Sequence, residues 1–140
     1  MKTMFYNSRI AKILLPKSKT AIMLLGAVFF KKKEGEVSGR MKRHEKIHQF
    51  QYLDCFFVSL IPAVYLTIMY GIGWLLLPSS LFYVMYLLEY IVSTIIRALT
   101  GKKEWNGAYY TNAMEMQAYD LESGGKEYEH LGWFSYYGKI

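Results

Sequence analysis

The residues best suited to chemistry are the five from His44 to His48, which read His-Glu-Lys-Ile-His. In a helix, side chains at positions i and i+4 lie on one face, so both imidazoles can reach a single metal ion. Zinc suits such a pair because it binds imidazole nitrogens at about 2.0–2.1 Å and keeps a position open for water in catalytic sites. Glu45 is then placed to accept a proton from that water. The motif predicts a zinc site with Glu45 as general base; the alternative is a solvated helix that carries the pattern by coincidence.

The composition indicates a membrane-associated protein. Of the 140 residues, 53% are hydrophobic and only 20% are charged, whereas soluble domains carry about 25% charged residues. The apolar residues concentrate between Leu53 and Leu99. We therefore expect a single domain, residues 1–140, with residues 53–99 as an inserted apolar helical hairpin. The single cysteine, Cys55, excludes an intramolecular disulfide.

The positions of the basic residues favour a lipid bilayer over nucleic acid as the partner. A net charge of +6 could serve to neutralise phosphates, but no aromatic-basic motif or binding module supports that function. The charges instead flank the apolar region, as the positive-inside rule expects for segments on the cytoplasmic side of a membrane. The flanking basic residues are Lys31, Lys32, Lys33, Arg40, Lys42, Arg43, Arg97, Lys102 and Lys103.

The segment before the motif predicts a small amount of β structure. Ala21 to Phe30 is a run of ten apolar residues, too short to span a bilayer, and it predicts one buried strand. Gly26 within it marks a bulge or a close approach of the backbone to another group. Residues 34–39 predict a turn, with a second short strand left open, and Ser38 is a candidate N-cap for the histidine helix.

The apolar region predicts two helices. Leu53 to Leu77 is long enough for one membrane span, Pro78-Ser79-Ser80 predicts a turn, and Leu81 to Ile96 predicts a second helix that is short for a full span. A hairpin that enters and leaves on one side would keep the metal site on the cytoplasmic side of the inner membrane. A partly immersed hairpin or a pair of buried core helices are the alternatives.

Two polar residues in these helices need an explanation. Gln51 follows the histidines on the same helical face, where it could orient a ligand; otherwise it is an ordinary polar residue at the membrane border. Glu89 lies inside an apolar helix, where charge is expensive. It could be a metal ligand, a partner of a zinc histidine or a partner of a basic side chain, or it could lie near the membrane border or against protein.

The last part of the chain predicts a further helix. Asn112 is a candidate N-cap and Gly124-Gly125 a candidate end. Glu115 stands three residues after Asn112, so a capping-box role would explain it without any metal. The aromatic tail, residues 133–137, could lie at a membrane surface or pack over the domain.

Together these motifs resemble the gluzincin class of zinc metallopeptidases. His44 to His48 matches their active-site motif, and Asn112 to Tyr119 looks like their glutamate-bearing helix. The segments are also similar to short bacterial membrane-associated proteins that combine H-E-K-I-H-x-x-Q, an apolar stretch with L-E-Y/F, and N-x-x-E-x-E-A-Y. Here Gln51, Leu88-Glu89-Tyr90 and residues 112–119 carry that likeness, which covers roughly residues 40–137.

The resemblance implies a mainly α (α+β), zincin-like minimal domain in which Zn²⁺ is held by His44, His48 and Glu115. Two positions depart from the pattern: Gln117 replaces a glutamate, and Tyr119 stands where many gluzincins place an aspartate that steadies a histidine. Asp120, one residue further on, is a candidate substitute. The candidates for stabilising an oxyanion are Tyr109, Tyr110, Tyr119 and His130.

The leading hypothesis is a membrane-associated zinc peptidase that hydrolyses a peptide or protein substrate through metal-activated water. The strand at residues 21–30 would bind an extended substrate by edge pairing, as the resemblance implies. The alternatives are a non-catalytic small membrane protein with a structural or vestigial zinc site, and a membrane adaptor whose basic flanks bind anionic lipid heads.

Overall fold

The computed structural model describes residues 3–100 and 112–139, which form a mainly helical protein with one small sheet. The mainly α expectation is confirmed. The strands are β1 (Met4–Phe5), β2 (Ala21–Leu24) and β3 (Ala27–Phe30). The α-helices are α1 (Arg9–Leu14), α2 (Gly39–Tyr70), α3 (Leu77–Leu99) and α4 (Ala113–Leu121). Short 3-10 helices lie at Glu34–Glu36, Ile72–Leu76 and Gly132–Lys139.

The apolar run at residues 21–30 is a β-hairpin, so the prediction of one strand was wrong. Leu25 and Gly26 have φ values of 50° and 76°, which are the left-handed conformations that a tight two-residue hairpin turn requires. The expected close approach at Gly26 is confirmed, since a Cβ there would lie 3.0 Å from the Tyr52 ring. The sheet order is β1-β3-β2, so β2 is an edge strand within the described residues. Residues 34–39 contain a 3-10 turn and no strand.

The histidine motif and the first apolar segment belong to one continuous helix, α2, of 32 residues. Ser38 is its N-cap, as expected, and its hydroxyl accepts a hydrogen bond from Met41 N at 3.2 Å. Pro62 lies inside the helix without ending it. Because the motif lies in the first third of this helix, the helix fixes the position of the histidines relative to the apolar region.

The connection between the apolar helices lies earlier than expected. Gly71, with a φ of 110°, ends α2, and the 3-10 helix at Ile72–Leu76 leads into α3. The predicted turn at residues 78–80 is wrong because Pro78 occupies the first turn of α3, where its missing N–H has no intrahelical partner to lose. As a result α3 has 23 residues, longer than predicted and not short for a span.

Both apolar helices carry large hydrophobic side chains on their outer surfaces. Residues 39–70 and 72–99 are each long and apolar enough to cross a membrane. The exposed apolar side chains of the two segments include Phe57, Ile61, Val64, Ile68, Ile72, Leu76, Leu87, Leu88, Ile91, Ile95 and Leu99. Such an apolar surface is typical of contact with lipid or with other proteins.

The core lies where α2, α3, α4 and the C-terminal segment meet the small sheet. Tyr52, Phe82, Met114 and Trp133 belong to this cluster, and Trp133 is 1% exposed. Of the two alternatives for the aromatic tail, Trp133 follows the one in which the tail packs over the domain, whereas Phe134 and Tyr137 remain exposed. Asp54 fastens the same segment to α2, since its carboxylate accepts hydrogen bonds from the Tyr128 hydroxyl at 2.7 Å and from a backbone N–H at 2.8 Å.

Substitution of Gly26 tests the hairpin. We expect Gly26→Ala to lower the free energy of unfolding by about 1–3 kcal/mol, because alanine is strained at positive φ and its Cβ crowds Tyr52. Urea unfolding followed by tryptophan fluorescence measures the change. Gly35→Ala is the control, since nothing lies within 4 Å of a Cβ there. Equal stability of the two variants would contradict the turn geometry.

Candidate metal centre

Two helices that are distant in sequence bring the candidate ligands together. His44 and His48 lie on one face of α2, and Glu115 extends from the first turn of α4. Asn112 caps α4 as expected, with its side-chain oxygen accepting from Met114 N at 2.9 Å and Glu115 N at 3.3 Å. The three side chains form a buried group that could hold a metal ion.

The spacing of the ligand atoms fits tetrahedral coordination. His44 Nε2 and His48 Nε2 are 3.2 Å apart, and Glu115 oxygens lie 3.3 Å and 3.2 Å from these two nitrogens. Ligands about 2.0 Å from one zinc ion at tetrahedral angles would be about 3.3 Å from each other. The two nitrogens are therefore spaced as ligands of one ion of that size. Glu115 presents a different oxygen to each nitrogen, Oε2 to His44 and Oε1 to His48. One ligand atom from each of the three residues lies within 4.8 Å of the other two.

Glu115 carries a buried charge. Its side chain is nearly inaccessible, and within the described residues Oε2 has no well-formed hydrogen bond. Burial alone would raise its pKa, but the charge of His48 and hydrogen bonds from His44, His48 and Tyr86 hold the pKa of Glu115 well below its usual range. An ionised carboxylate in this position is a suitable ligand for a cation, which would in turn offset the cost of burying the charge.

A chain of amides fixes the orientation of His48. His48 Nδ1 donates to Gln51 Oε1 at 2.8 Å, so Nε2 is the nitrogen that faces His44 and Glu115. Gln51 Nε2 donates to Met114 O at 2.9 Å and to Gln117 Oε1 at 2.8 Å, and Gln117 Nε2 donates to a backbone carbonyl at 3.2 Å. The nitrogen of each amide donates to oxygen acceptors, so each amide oxygen is left to accept. Gln51 Oε1 must therefore accept from His48, and His48 Nδ1 must be the donor. Gln51 therefore hydrogen-bonds a candidate ligand, which is the contact that one of the two interpretations of this residue requires.

His44 has its own supports, which come from α4. Its Nδ1 lies 3.2 Å from Glu122 Oε2, and its ring centroid lies 4.7 Å from that of Tyr119. Arg40 holds Glu122 in place through a hydrogen bond of 2.8 Å from Nε to Oε1. Arg43 Nε donates to the Glu122 backbone carbonyl at 2.8 Å. Glu122, rather than Asp120, is thus the carboxylate that lies beside His44, although His44 Nδ1 has no hydrogen bond of good geometry within the described residues.

The remaining candidates lie away from the cluster. Glu89 accepts hydrogen bonds from Met114 N at 3.3 Å and from the Tyr137 hydroxyl. Asp120 accepts from the Lys126 ammonium at 2.7 Å and the Tyr136 hydroxyl at 2.8 Å. His130 donates from Nδ1 to Asp54 at 2.6 Å. None of the three belongs to the group of candidate ligands. Tyr109 and Tyr110 lie outside the described residues.

Two clefts lie beside the candidate ligands and share Lys19, Ala21 and Glu45 in their walls. The apolar cleft, about 280 Å³, reaches His48 and Glu115, and the polar cleft, about 410 Å³, reaches His44. The apolar cleft is lined by Leu15, Lys19, Ala21, Ile22, Met23, Glu45, His48, Phe82, Tyr83, Tyr86 and Glu115. The polar cleft is lined by Ser18, Lys19, Thr20, Ala21, Ser38, Arg40, Met41, His44, Glu45, Tyr119 and Glu122. Glu45 therefore lies between the two spaces that a molecule at the metal centre could occupy.

Sequence reasoning missed three residues at this site. Glu122 lies two helical turns after Glu115 on the same face, so helical periodicity could have identified it. For Gln117, the sequence indicated only that the charge of a glutamate in the resembled motif is missing. Tyr86 lies on α3, and its hydroxyl donates to Glu115 Oε1 at 2.6 Å. No local pattern connects Tyr86 to α4, because only the packing of α3 brings them together.

Comparison with known proteins gives no relative for this chain: no family model, no curated protein and no solved structure matches it. The interpretation of the centre accordingly depends on its geometry.

Replacement of Gln51 tests the amide chain. We expect Gln51→Leu to weaken zinc binding about 10- to 100-fold, because His48 loses the acceptor that fixes its ring. Competition with a chromogenic chelator measures the dissociation constant.

Gln49→Leu is a matched control for this experiment. Gln49 is also a buried glutamine on α2, but its amide donates to Gly26 O at 2.7 Å and does not contact the histidines. Its loss should leave zinc affinity unchanged. If both variants weaken binding equally, Gln51 contributes only to stability and the orienting role is refuted.

Proposed function

We propose that this protein is a membrane-associated zinc peptidase whose ligands are His44, His48 and Glu115. The observation that carries the proposal is the buried group of His44, His48 and Glu115, in which the two imidazole Nε2 atoms are 3.2 Å apart and each lies within 3.3 Å of a Glu115 oxygen. Two imidazoles and one carboxylate are a ligand set that catalytic zinc uses in peptidases. When bound, zinc would polarise a water molecule and the substrate carbonyl.

Glu45 is the proposed general base. Glu45 follows His44 directly in α2 and lines both clefts. A substrate that occupies both clefts therefore lies beside the Glu45 carboxylate. Glu45 accepts a proton from the attacking water and passes it to the leaving amine. Among the candidates for stabilising the oxyanion, Tyr119 is the one that lines the polar cleft beside His44.

The edge strand β2 is the proposed binding element for the substrate backbone. Within the described part of the chain, β3 pairs with one side of β2 and no strand occupies the other side. Ala21 of β2 lines both clefts, and Ile22 and Met23 line the apolar cleft. A peptide in extended conformation can add to such an edge through main-chain hydrogen bonds, as in β-augmentation. This arrangement supports a peptide over a small molecule as the substrate.

The membrane part of the proposal is supported by the two apolar helices and their exposed hydrophobic side chains. Basic residues before α2 and at the end of α3 favour placing the metal centre on the cytoplasmic side of the inner membrane. The structural-zinc alternative predicts the same metal content without hydrolysis, so metal content and cleavage have to be measured together.

Ligand and base variants test the proposal. We expect purified wild-type protein to hold about one zinc ion per chain, and His48→Ala and Glu115→Ala to lose it, since each removes one of three ligands. Glu45→Gln should keep zinc and lower cleavage of a fluorogenic peptide about 100- to 10,000-fold. Elemental analysis and cleavage assays measure the two properties.

Glu89→Gln provides the control for removal of a buried carboxylate, because Glu89 is buried but lies outside the ligand group. It should retain zinc. Loss of zinc in Glu89→Gln with retention in Glu115→Ala would show that the third ligand is wrong. Full zinc occupancy with equal cleavage by Glu45→Gln and wild type would refute Glu45 as the base.

A further inference from the structure

We propose that the substrate is an extended peptide that is apolar on the amino side of the cleaved bond and polar on the carboxyl side. This proposal rests on the peptidase function proposed above and specifies the substrate of the same site. It follows from the contrast between the two clefts, from the direction of β2 and from the helix that walls one cleft.

The apolar cleft suits large hydrophobic side chains. Its walls include Leu15, Ile22 and Met23 from one side and the aromatic rings of Phe82 and Tyr83 from the other. The cleft volume of about 280 Å³ is close to the lower end of known ligand pockets, roughly 300 Å³. A side chain that enters this cleft leaves water for an aromatic and aliphatic surface, so apolar side chains gain most.

The polar cleft suits hydrophilic residues. Ser18, Thr20 and Ser38 contribute hydroxyl groups to its walls, and Arg40 and Glu122 contribute charged groups that are paired with each other at its edge. An apolar side chain in this cleft would cover polar groups and deprive them of water, which is unfavourable. A polar side chain can exchange hydrogen bonds with the same groups.

The strand β2 and the residues before it connect the clefts and set their order. Ser18 and Thr20 line only the polar cleft, Ile22 and Met23 line only the apolar cleft, and Lys19 and Ala21 line both, so the chain passes from one cleft to the other as it enters β2. A peptide that pairs with β2 in the antiparallel sense, the slightly more stable pairing, runs from Leu24 towards Ala21 and so leads from the apolar cleft towards the polar cleft. Its amino-terminal part then lies in the apolar cleft, its carboxy-terminal part lies in the polar cleft, and Glu45 lies at the junction.

The wall of the apolar cleft indicates where such a peptide comes from. Phe82, Tyr83 and Tyr86 belong to α3, one of the two helices apolar enough to cross a membrane. The walls of the polar cleft come from α4 and the polar start of α2, together with residues before β2. The chemistry of the site thus changes from apolar to polar in the same order as a chain leaving a bilayer. The fitting substrate class is the juxtamembrane segment of a membrane-anchored polypeptide.

Peptide binding tests the inference without requiring hydrolysis. The probes are two fluorescent peptides of identical composition, one with leucine and phenylalanine preceding serine, glutamine and threonine, and one in reverse order. They are titrated, by fluorescence anisotropy, onto zinc-loaded Glu45→Gln protein in phosphatidylcholine nanodiscs. We expect the apolar-first peptide to bind at least about tenfold more tightly, as hydrophobic pockets discriminate. Equal affinities, or tighter binding of the reversed peptide, would overturn the proposal.

Two further substitutions, each combined with Glu45→Gln, locate the effect. Ile22→Gln places a polar group in the apolar cleft and should remove the preference for the apolar-first peptide. Ile13→Gln is the matched control, because Ile13 lies on α1, is 81% exposed and lines neither cleft. Both variants are measured in the same nanodiscs, so partitioning of a peptide into the lipid contributes equally to both and cancels when their affinities are compared. An unchanged preference in Ile22→Gln would contradict the assignment of this cleft.

Cleavage by zinc-loaded wild type separates this inference from the function on which it rests. Cleavage of the apolar-first peptide at the apolar–polar junction supports both. Binding in the expected order without cleavage would refute the peptidase function and retain the binding specificity. Cleavage of both peptides at equal rates would retain the peptidase function and refute the specificity.

Discussion

The contact of one buried carboxylate with two imidazoles is the interaction on which the rest of the site depends. Glu115 joins α4 to α2 at a point where water is almost excluded, and an isolated charge there would be costly. The imidazoles compensate the charge in part, and a shared divalent cation would compensate it fully. A metal bound by both helices would couple ion binding to folding, because the ligands come together only in the folded chain.

The surrounding structure makes this contact specific. The amides of Gln51 and Gln117 set the direction of the His48 ring, while Glu122 and Arg40 support His44. The Tyr86 hydroxyl of α3 donates a hydrogen bond to the Glu115 carboxylate. The apolar helix α3 therefore contributes to the candidate metal centre as well as being a candidate membrane segment. This double role explains how a small chain can place a site with apolar and polar sides at the edge of a hydrophobic region.

Local spacing was sufficient to predict some of these features. The histidine pair, the Ser38 cap and the Asn112 cap depend on residues within one or two helical turns, where the sequence directly specifies which side chains are neighbours. Glu115 was selected as a third ligand by resemblance, and the structure brings it to the histidines. Helical periodicity would also have identified Glu122, which was overlooked.

Features that depend on tertiary packing could not be predicted from local spacing. Leu25 is an unusual residue for a left-handed turn position, so the hairpin at residues 21–30 has only Gly26 as a turn signal. The chain reversal at residues 71–76 contains no charge or proline, and the proline that seemed to mark it starts the next helix. The contacts of Tyr86 and Gln117 join elements far apart in sequence, and their roles follow only from the packing of α3 and the C-terminal segment against the site.

X-ray absorption at the zinc edge of the purified, metal-loaded protein tests the central claim most directly. We expect two imidazole nitrogens and carboxylate or water oxygens at about 2.0–2.1 Å, and the loss of one oxygen scatterer or of the metal itself in Glu115→Ala. A sulfur scatterer at about 2.3 Å, which would implicate Cys55, or an unchanged spectrum in Glu115→Ala would contradict the proposed centre.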